Sequence, residues 1–262
     1  MSQPALAPAL EPQRITKRGG RFYQVGDKEY PSATTTLGVI NKPALVPWAA
    51  GLERNHVVDI AARLYQEQHD LPRLDDAMYR QTLSSRLGTR AHRRTMRSAQ
   101  QIGTEAHALI EWKNRRALGE TVGPAPMVSD GAAVAVMSFE DWAKAANLKP
   151  VAVESVVYST HYGFAGTFDL VAEINDGALV MIDFKTGKNI YTEALLQNVM
   201  YQVAWQEMKR RPCVGGYVVR LPKTLDDDLA CEVVTVPPVE QLWKACEAAI
   251  TLWTELHARA NQ

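Results

Sequence analysis

The sequence predicts an α/β fold: a central mixed β-sheet flanked by helices, with a helical part ahead of it. Three observations predict it. From about residue 47 to 118 the pattern is mostly helical, broken near Leu71-Pro72 and at Gly88. After residue 150 the period changes to short β-branched runs: "VAVESVVYS" (151–159), "GTFDLVAEI" (166–174), "ALVMIDFKT" (178–186), "VGGYVVRL" (214–221) and "CEVVTV" (231–236). Helical segments at 192–210 and 237–260 are interleaved with these runs, which is the alternation of an α/β unit.

The remaining elements follow in order. Residues 1–14 read as a short Pro/Ala-rich disordered tail. "RFYQVGDKEY" (21–30) places two β-prone runs around Gly26-Asp27, a hairpin pattern. "YPSATTTLGVINKP" supplies Ser and Thr suited to helix N-caps, and Pro31, Pro43 and Pro47 punctuate it. "TVGPAPMVSDG" (121–131) is a loop, followed by a helix over about 130–147 with Val134, Met137 and Trp142 spaced to share a side. Asn175-Asp176-Gly177 between two apolar runs is a hairpin signal. Residues 15–262 are expected to form one domain, with the hairpin and helical part at 15–147 and the sheet core and C-terminal helix at 148–262.

Bulk properties narrow the function classes. No apolar run is long enough to span a membrane, and the N-terminus lacks the charged start and apolar block of a secretory signal. The three cysteines, Cys213, Cys231 and Cys246, are far apart and form no C-x-x-C, so neither a disulfide framework nor a zinc ribbon is expected, and a reducing cytoplasm fits. The formal net charge is zero, yet residues 1–120 carry 18 Lys/Arg against 12 Asp/Glu, while the rest carries 11 against 17. A neutral total therefore does not exclude a polyanionic partner, because binding follows local patches.

The chemistry lies in the strands. Glu154, Asp169 and Asp183 each stand in an otherwise apolar strand, where an acid is costly unless paired or bound to metal. Oxygen ligands converging from adjacent strands suit Mg²⁺ or Mn²⁺. Lys185, two residues after Asp183, shares its face of the strand. There it could hold or deprotonate water or neutralise charge on a phosphate. Together these groups fit metal-assisted phosphodiester hydrolysis. "KTGK" is not a phosphate loop, because Ile182 stands at the early glycine position and Asn189 replaces Ser/Thr.

The ordered set Glu154, "GTFD" (166–169), "IDFKTGK" (182–188) and "QNVMY" (197–201) resembles the PD-(D/E)XK nuclease superfamily, and most closely its RecB-like exonuclease branch. "YPSATTTL" with "NKPALVPWA" is similar to the N-terminal part of phage and bacterial members, and "GTEAHALIE" (103–111) to the branch's helical histidine motif. The resemblance implies a sheet-based nuclease core with the helical part over its active site. It implies Asp169 and Asp183 as metal ligands, with the Phe184 carbonyl a further candidate and His107 approaching from the helical side. Lys185 would be the catalytic lysine, with Glu154 supporting the metal or its water. Gln197 and Tyr201, four apart on one helix face, would position the lysine, the strand or the phosphate. Ile182 stands where the superfamily name has Pro. Some relatives carry an iron–sulfur cluster on four cysteines; none is expected here.

A second G-T-x-A-H stands at 88–92. His107 is favoured over His92 because Glu111 shares its helix face, whereas His92 lies among arginines. Those arginines, Arg86, Arg90, Arg93, Arg94 and Arg97, have no acid between them and can neutralise several phosphates, so DNA, as single strands or duplex ends, is the expected partner. The expected activity is that of a metal-dependent DNA exonuclease in recombination, repair or phage DNA processing. The alternative is a nucleic-acid-binding module that keeps the fold without catalysis. Oligomeric state is not legible in the sequence.

Overall fold

The computed structural model describes residues 12–17, 20–40, 45–67, 76–87, 91–175, 177–208, 210–224 and 229–260. The chain opens with a small antiparallel sheet of β1 (Gln13–Lys17), β2 (Gly20–Val25) and β3 (Lys28–Pro31), in that order. The hairpin at Gly26-Asp27 forms as its sequence suggests, with Gly26 at φ +59°. Strand β1 extends it, and Gln13 and Arg14, assigned above to the tail, pair with Gln24 and Tyr23. A short helix α1 (Ala33–Thr36) follows, capped by the Ser32 side chain, which accepts from the Thr35 N–H.

The helices are α2 (Leu45–Glu67), α3 (Asp76–Leu87), α4 (Ala91–Ala117) and α5 (Asp130–Ala145). The breaks expected near Leu71-Pro72 and Gly88 lie outside the described residues. On α5 the buried stripe is Ala132, Ala135, Val136 and Phe139, and Met137 is 64% exposed. Of the side expected to carry Val134, Met137 and Trp142, Trp142 packs against the core beside Phe139 and Val134 is half-buried, whereas Met137 is exposed; small alanines at 132 and 135 turn the core side away from it.

The main sheet has five strands in the order β4 (Lys149–Ser159), β5 (Phe164–Ile174), β6 (Ala178–Lys185), β7 (Gly215–Arg220) and β8 (Glu232–Val236). Only β6 and β7 are parallel, so the sheet is mixed. Helix α6 (Thr192–Glu207) makes the crossover between them, and α7 (Val239–Ala260) closes the chain. Strand β6 is buried on both faces, which is why it reads as a near-continuous apolar run. Met181, Phe168 and Val157 pack with residues of α6 and α7, and Ile182, Phe184, Leu170 and Val153 with residues of α4 and α5.

The strands depart from regularity at one place. Residues two apart on an even strand share a face, yet Phe168 and Leu170 join opposite layers, as do Val157 and Val153. Between them stand Asp169 and Glu154, and Glu154 has a left-handed backbone, φ +40°. The β5–β6 ladder runs from Ile174–Ala178 to Leu170–Ile182 and stops there. Beyond it Ser32, not β6, forms a bridge to β5 at Ala165. Strands β5 and β6 therefore part where the acids stand.

The chain divides into two compact units. One holds residues 1–40 and 102–262, which include both sheets; the other is Asn41–Gln101. Within the second, the Tyr79 hydroxyl donates to the Ala61 carbonyl and Arg86 to Glu67.

Candidate active site

At the parting of β5 and β6, the Asp169 carboxylate takes up the strand hydrogen bonding that the ladder abandons. Its Oδ2 accepts from the Phe184 N–H at 2.7 Å. The other oxygen, Oδ1, lies 3.4 Å from His107 Nδ1 on α4, and Glu154 Oε1 lies 3.9 Å from the same nitrogen. His107, Glu154 and Asp169 each offer one ligand atom within 4.8 Å of the others. The His107 ring stands edge-on to Phe184, which also packs on Phe139.

Two glycines explain how close these elements come. A Cβ on Gly103, one turn before His107, would lie 2.8 Å from Thr186 Oγ1, just past Lys185. A Cβ on Gly166 would overlap the Tyr201 ring. The glycines of "GTEAH" and "GTFD" are thus required by approach distance.

A second group adjoins the first. Asp183, 2% exposed, pairs its Oδ2 with Lys185 Nζ, as their two-residue spacing on β6 implies. Lys185 Nζ lies 3.5 Å from Gln197 Oε1, and Gln197 Nε2 donates to the Tyr201 hydroxyl at 2.9 Å. Lysine, glutamine and tyrosine thus form one hydrogen-bonded row from β6 to α6.

Charge in this small volume is strongly coupled. Burial opposes a charged His107, but Asp169 and then Glu154 outweigh it and push the imidazole pKa up to about 10. Burial works against the Asp169 carboxylate, yet His107 and Lys185 hold its pKa below the usual range. Asp183 is pushed up to about 6 by burial, with Lys185 opposing and Asp169 adding to the rise. Burial also raises Glu154. The centre thus gathers more buried negative charge than is comfortable without a cation.

The donor set fits a divalent ion. It offers one imidazole nitrogen and two carboxylate oxygens, all within 4.8 Å of one another. The imidazole stands 3.4 and 3.9 Å from the two oxygens, somewhat wider than the roughly 3 Å between neighbouring ligands of an octahedral ion bound at about 2.1 Å, so the side chains would draw in on binding. When bound, such an ion supplies Lewis acidity toward a phosphate oxygen and acidifies water.

The remaining expectations divide. Glu111, expected to share the helix face of His107, pairs with Arg115 at 2.8 Å and adds a little to the rise of the Glu154 carboxyl. Of the arginine run, Arg90 and the side chain of Arg94 lie outside the described residues; Arg93 and Arg97 are exposed, and Arg86 pairs with Glu67 at 2.7 Å, so it is not a free cation. Three features escaped sequence reasoning. Asn198, fully buried, donates to the carbonyls of Met181 and Tyr217 and accepts from Gln202, tying α6 to β6 and β7. Its i, i+4 spacing to Gln202 repeats that of Gln197 to Tyr201, so a signal was there. The second is the Tyr23 hydroxyl, 2.8 Å from Thr167 Oγ1 and so joined to β5 two residues before Asp169. The third, the left-handed backbone at Glu154, leaves no mark in residue type.

A mixed five-stranded sheet flanked by helices, with a half-buried His/Glu/Asp centre beside a lysine where two strands part, has the make-up of an α/β metal-dependent hydrolase core. The family model described as the PD-(D/E)XK nuclease superfamily matches residues 64–261, and the chain belongs to that superfamily. Its members are usually metal-dependent nucleases, so the substrate class is nucleic acid. A comparison with curated proteins finds no match. Among the described residues no helix is long and apolar enough to cross a membrane.

Proposed function

We propose that the protein is a cytoplasmic, metal-dependent deoxyribonuclease of the RecB-like exonuclease branch. It hydrolyses phosphodiester bonds in single-stranded DNA or at duplex ends, in recombination, repair or phage DNA processing. The observation that carries this reading is the convergence of His107, Glu154 and Asp169 within 4.8 Å of one another, coupled electrostatically to Asp183 and Lys185.

In this reading His107, Asp169 and Asp183 hold Mg²⁺ or Mn²⁺, with the Phe184 carbonyl as a further ligand and Glu154 steadying the ion or its water. Lys185 Nζ exchanges its pairing with Asp183 for the attacking water or a phosphate oxygen. Gln197 fixes the lysine's position and Tyr201 fixes Gln197. Arg93 and Arg97, exposed on α4, contribute phosphate contacts together with Arg90 and Arg94 of the same run, whereas Arg86 is engaged by Glu67.

The test is cleavage of end-labelled single- and double-stranded DNA, linear and circular, with Mg²⁺, Mn²⁺ or EDTA. Metal-dependent loss of linear DNA with circles spared supports the reading. Cutting of circles replaces exonuclease with endonuclease. DNA binding without cutting under any condition favours the non-catalytic binding module.

A further inference from the structure

The structure holds the backbone of one arginine from three directions, and its guanidinium has no acidic partner among the described residues. The Arg21 N–H donates to Thr35 Oγ1 at 3.0 Å, and the same hydroxyl donates to the Arg21 carbonyl at 3.0 Å. That carbonyl also accepts from the Ser32 N–H at 2.8 Å. Ser32 Oγ lies 2.8 Å from Thr35 Oγ1, which fixes the threonine rotamer in turn. Gly20, at φ +149°, leaves room for Thr35 where a Cβ would lie 2.5 Å from its hydroxyl. The serine and threonines of "YPSATTT" thus do more than cap α1: they clamp the residue that β2 presents.

The register shows what this arginine accompanies. Arg14, Tyr23 and Tyr30 stand in one row of the small sheet, and Arg21 stands with Thr16 in the next, so both arginines share the face of Tyr23 and Tyr30. Ser32 carries that face onto β5 through its bridge to Ala165. Tyr23, Tyr30 and Ala165 pack together there, with the half-buried Val156 and Tyr158 of β4 against them. Tyr23 then reaches Thr167, two residues from Asp169. Arg14 is exposed and Arg21 half-buried, and neither has an acidic partner among the described residues. A pinned, unpaired arginine, a second arginine and a half-buried tyrosine beside an acidic centre make the combination that takes a single nucleic-acid strand: cations for phosphates and an aromatic face for a base.

We infer that Arg14 and Arg21, at the margin of the sheet face that buries Tyr23 and Tyr30, bind the sugar–phosphate backbone of the substrate strand flanking the cleaved bond, with Tyr158 beneath a base. The inference rests on the nuclease reading and names a substrate subsite within it. Arg21 contacts one phosphate and Arg14 another, and the Ser32–Thr35 clamp positions Arg21.

The experiment uses the full chain, a fluorescein-labelled oligothymidylate and EDTA, which prevents cutting, and reads anisotropy from low to moderate salt. For single strands each phosphate contact contributes about 0.7 to the slope of log affinity against log salt. Arg14→Ala/Arg21→Ala is expected to lower that slope by about 1.4 and to weaken binding, while Arg14→Lys/Arg21→Lys retains most of the slope. Arg14→Ala, at an exposed position, is expected to lose about 0.7 and keeps the test open should the double variant fail to fold. Parental slope and affinity in folded Arg14→Ala and Arg14→Ala/Arg21→Ala proteins would overturn the inference. Parallel Mg²⁺ and Mn²⁺ cleavage by the parent separates the two failures. A parent that cuts while the variants bind unchanged sinks only the subsite, and a parent that never cuts sinks the nuclease reading.

Discussion

The two ends of the β5–β6 pair behave differently. At one end the strands join through a tight turn, Gly177 sits at φ +89°, and the ladder is regular from Ile174–Ala178 onward. Apolar residues there alternate between the two layers. At the other end the ladder stops at Leu170–Ile182, the opposed Glu154 takes a left-handed backbone, and an acid on each strand replaces the apolar pattern. The same two strands thus supply stability at one end and chemistry at the other. Buried acids are tolerated only where the ladder opens, because there a carboxylate can take over an orphaned backbone N–H, as Asp169 does for Phe184.

Substitutions at the two ends should separate activity from stability. The largest effect is expected at the open end. Lys185→Ala and Asp183→Ala should lower nuclease rate by about 10²-fold or more, in line with the loss of a positioned acid–base group, while circular dichroism shows a retained fold. Parental cutting by either variant would remove these residues from the chemistry.

Next comes the approach of α6. Gly166→Ala drives a methyl into the Tyr201 ring and should cost about 1–3 kcal/mol in chemical denaturation, with loss of activity because the Gln197–Lys185 row moves with Tyr201. Its counterpart at the closed end, Gly177→Ala, requires an L residue at positive φ and should cost about 1–2 kcal/mol with the specific activity of the folded protein unchanged. Equal activity losses in both variants would erase the distinction between the two ends.

The pH dependence of the metal-free protein is more specific to one residue of the open end. His107 has a folded pKa of about 10 against 6.5 when unperturbed. Its contribution to stability is therefore whole below about 6.5 and fades as pH rises toward about 10. Thermal melts of the parent should lose stability across this window, and His107→Gln should flatten the loss. A divalent ion must displace the same proton, so its affinity should rise with pH. Calorimetry in buffers of different ionisation enthalpy should then show proton release near neutral pH.

The smallest effect is expected on α5. Met137→Ala, at an exposed position, should change stability by no more than about 0.5 kcal/mol.

Much of this was legible in the sequence because the relevant spacings are local. Asp183 and Lys185 meet through a two-residue strand spacing, and Gln197 and Tyr201 through a helical one. The turn at Asn175–Gly177 and the change of period near residue 150 set out the main sheet. What was not legible depends on partners distant in sequence. Nothing in Glu154 itself announces a left-handed backbone, which arises where β4 and β5 exchange faces. Tyr23 meets Thr167 across 144 residues. On α5, Trp142 of the expected side packs against the core and Met137 does not, for a related reason: small alanines at 132 and 135 allow the close packing and turn the core side away from Met137. Strand β1 was missed because "QRITK" carries mostly polar residues, as an exposed edge strand can.

The measurement that bears most directly on the centre is Mn²⁺ binding followed by electron paramagnetic resonance, which needs no substrate. The parent and Gly177→Ala should each bind Mn²⁺ with the free-ion signal lost on titration, and Asp169→Ala should leave that signal largely intact. A parent that leaves Mn²⁺ free, or an Asp169→Ala protein that binds it as the parent does, would contradict the assignment of the parted strands as a metal centre.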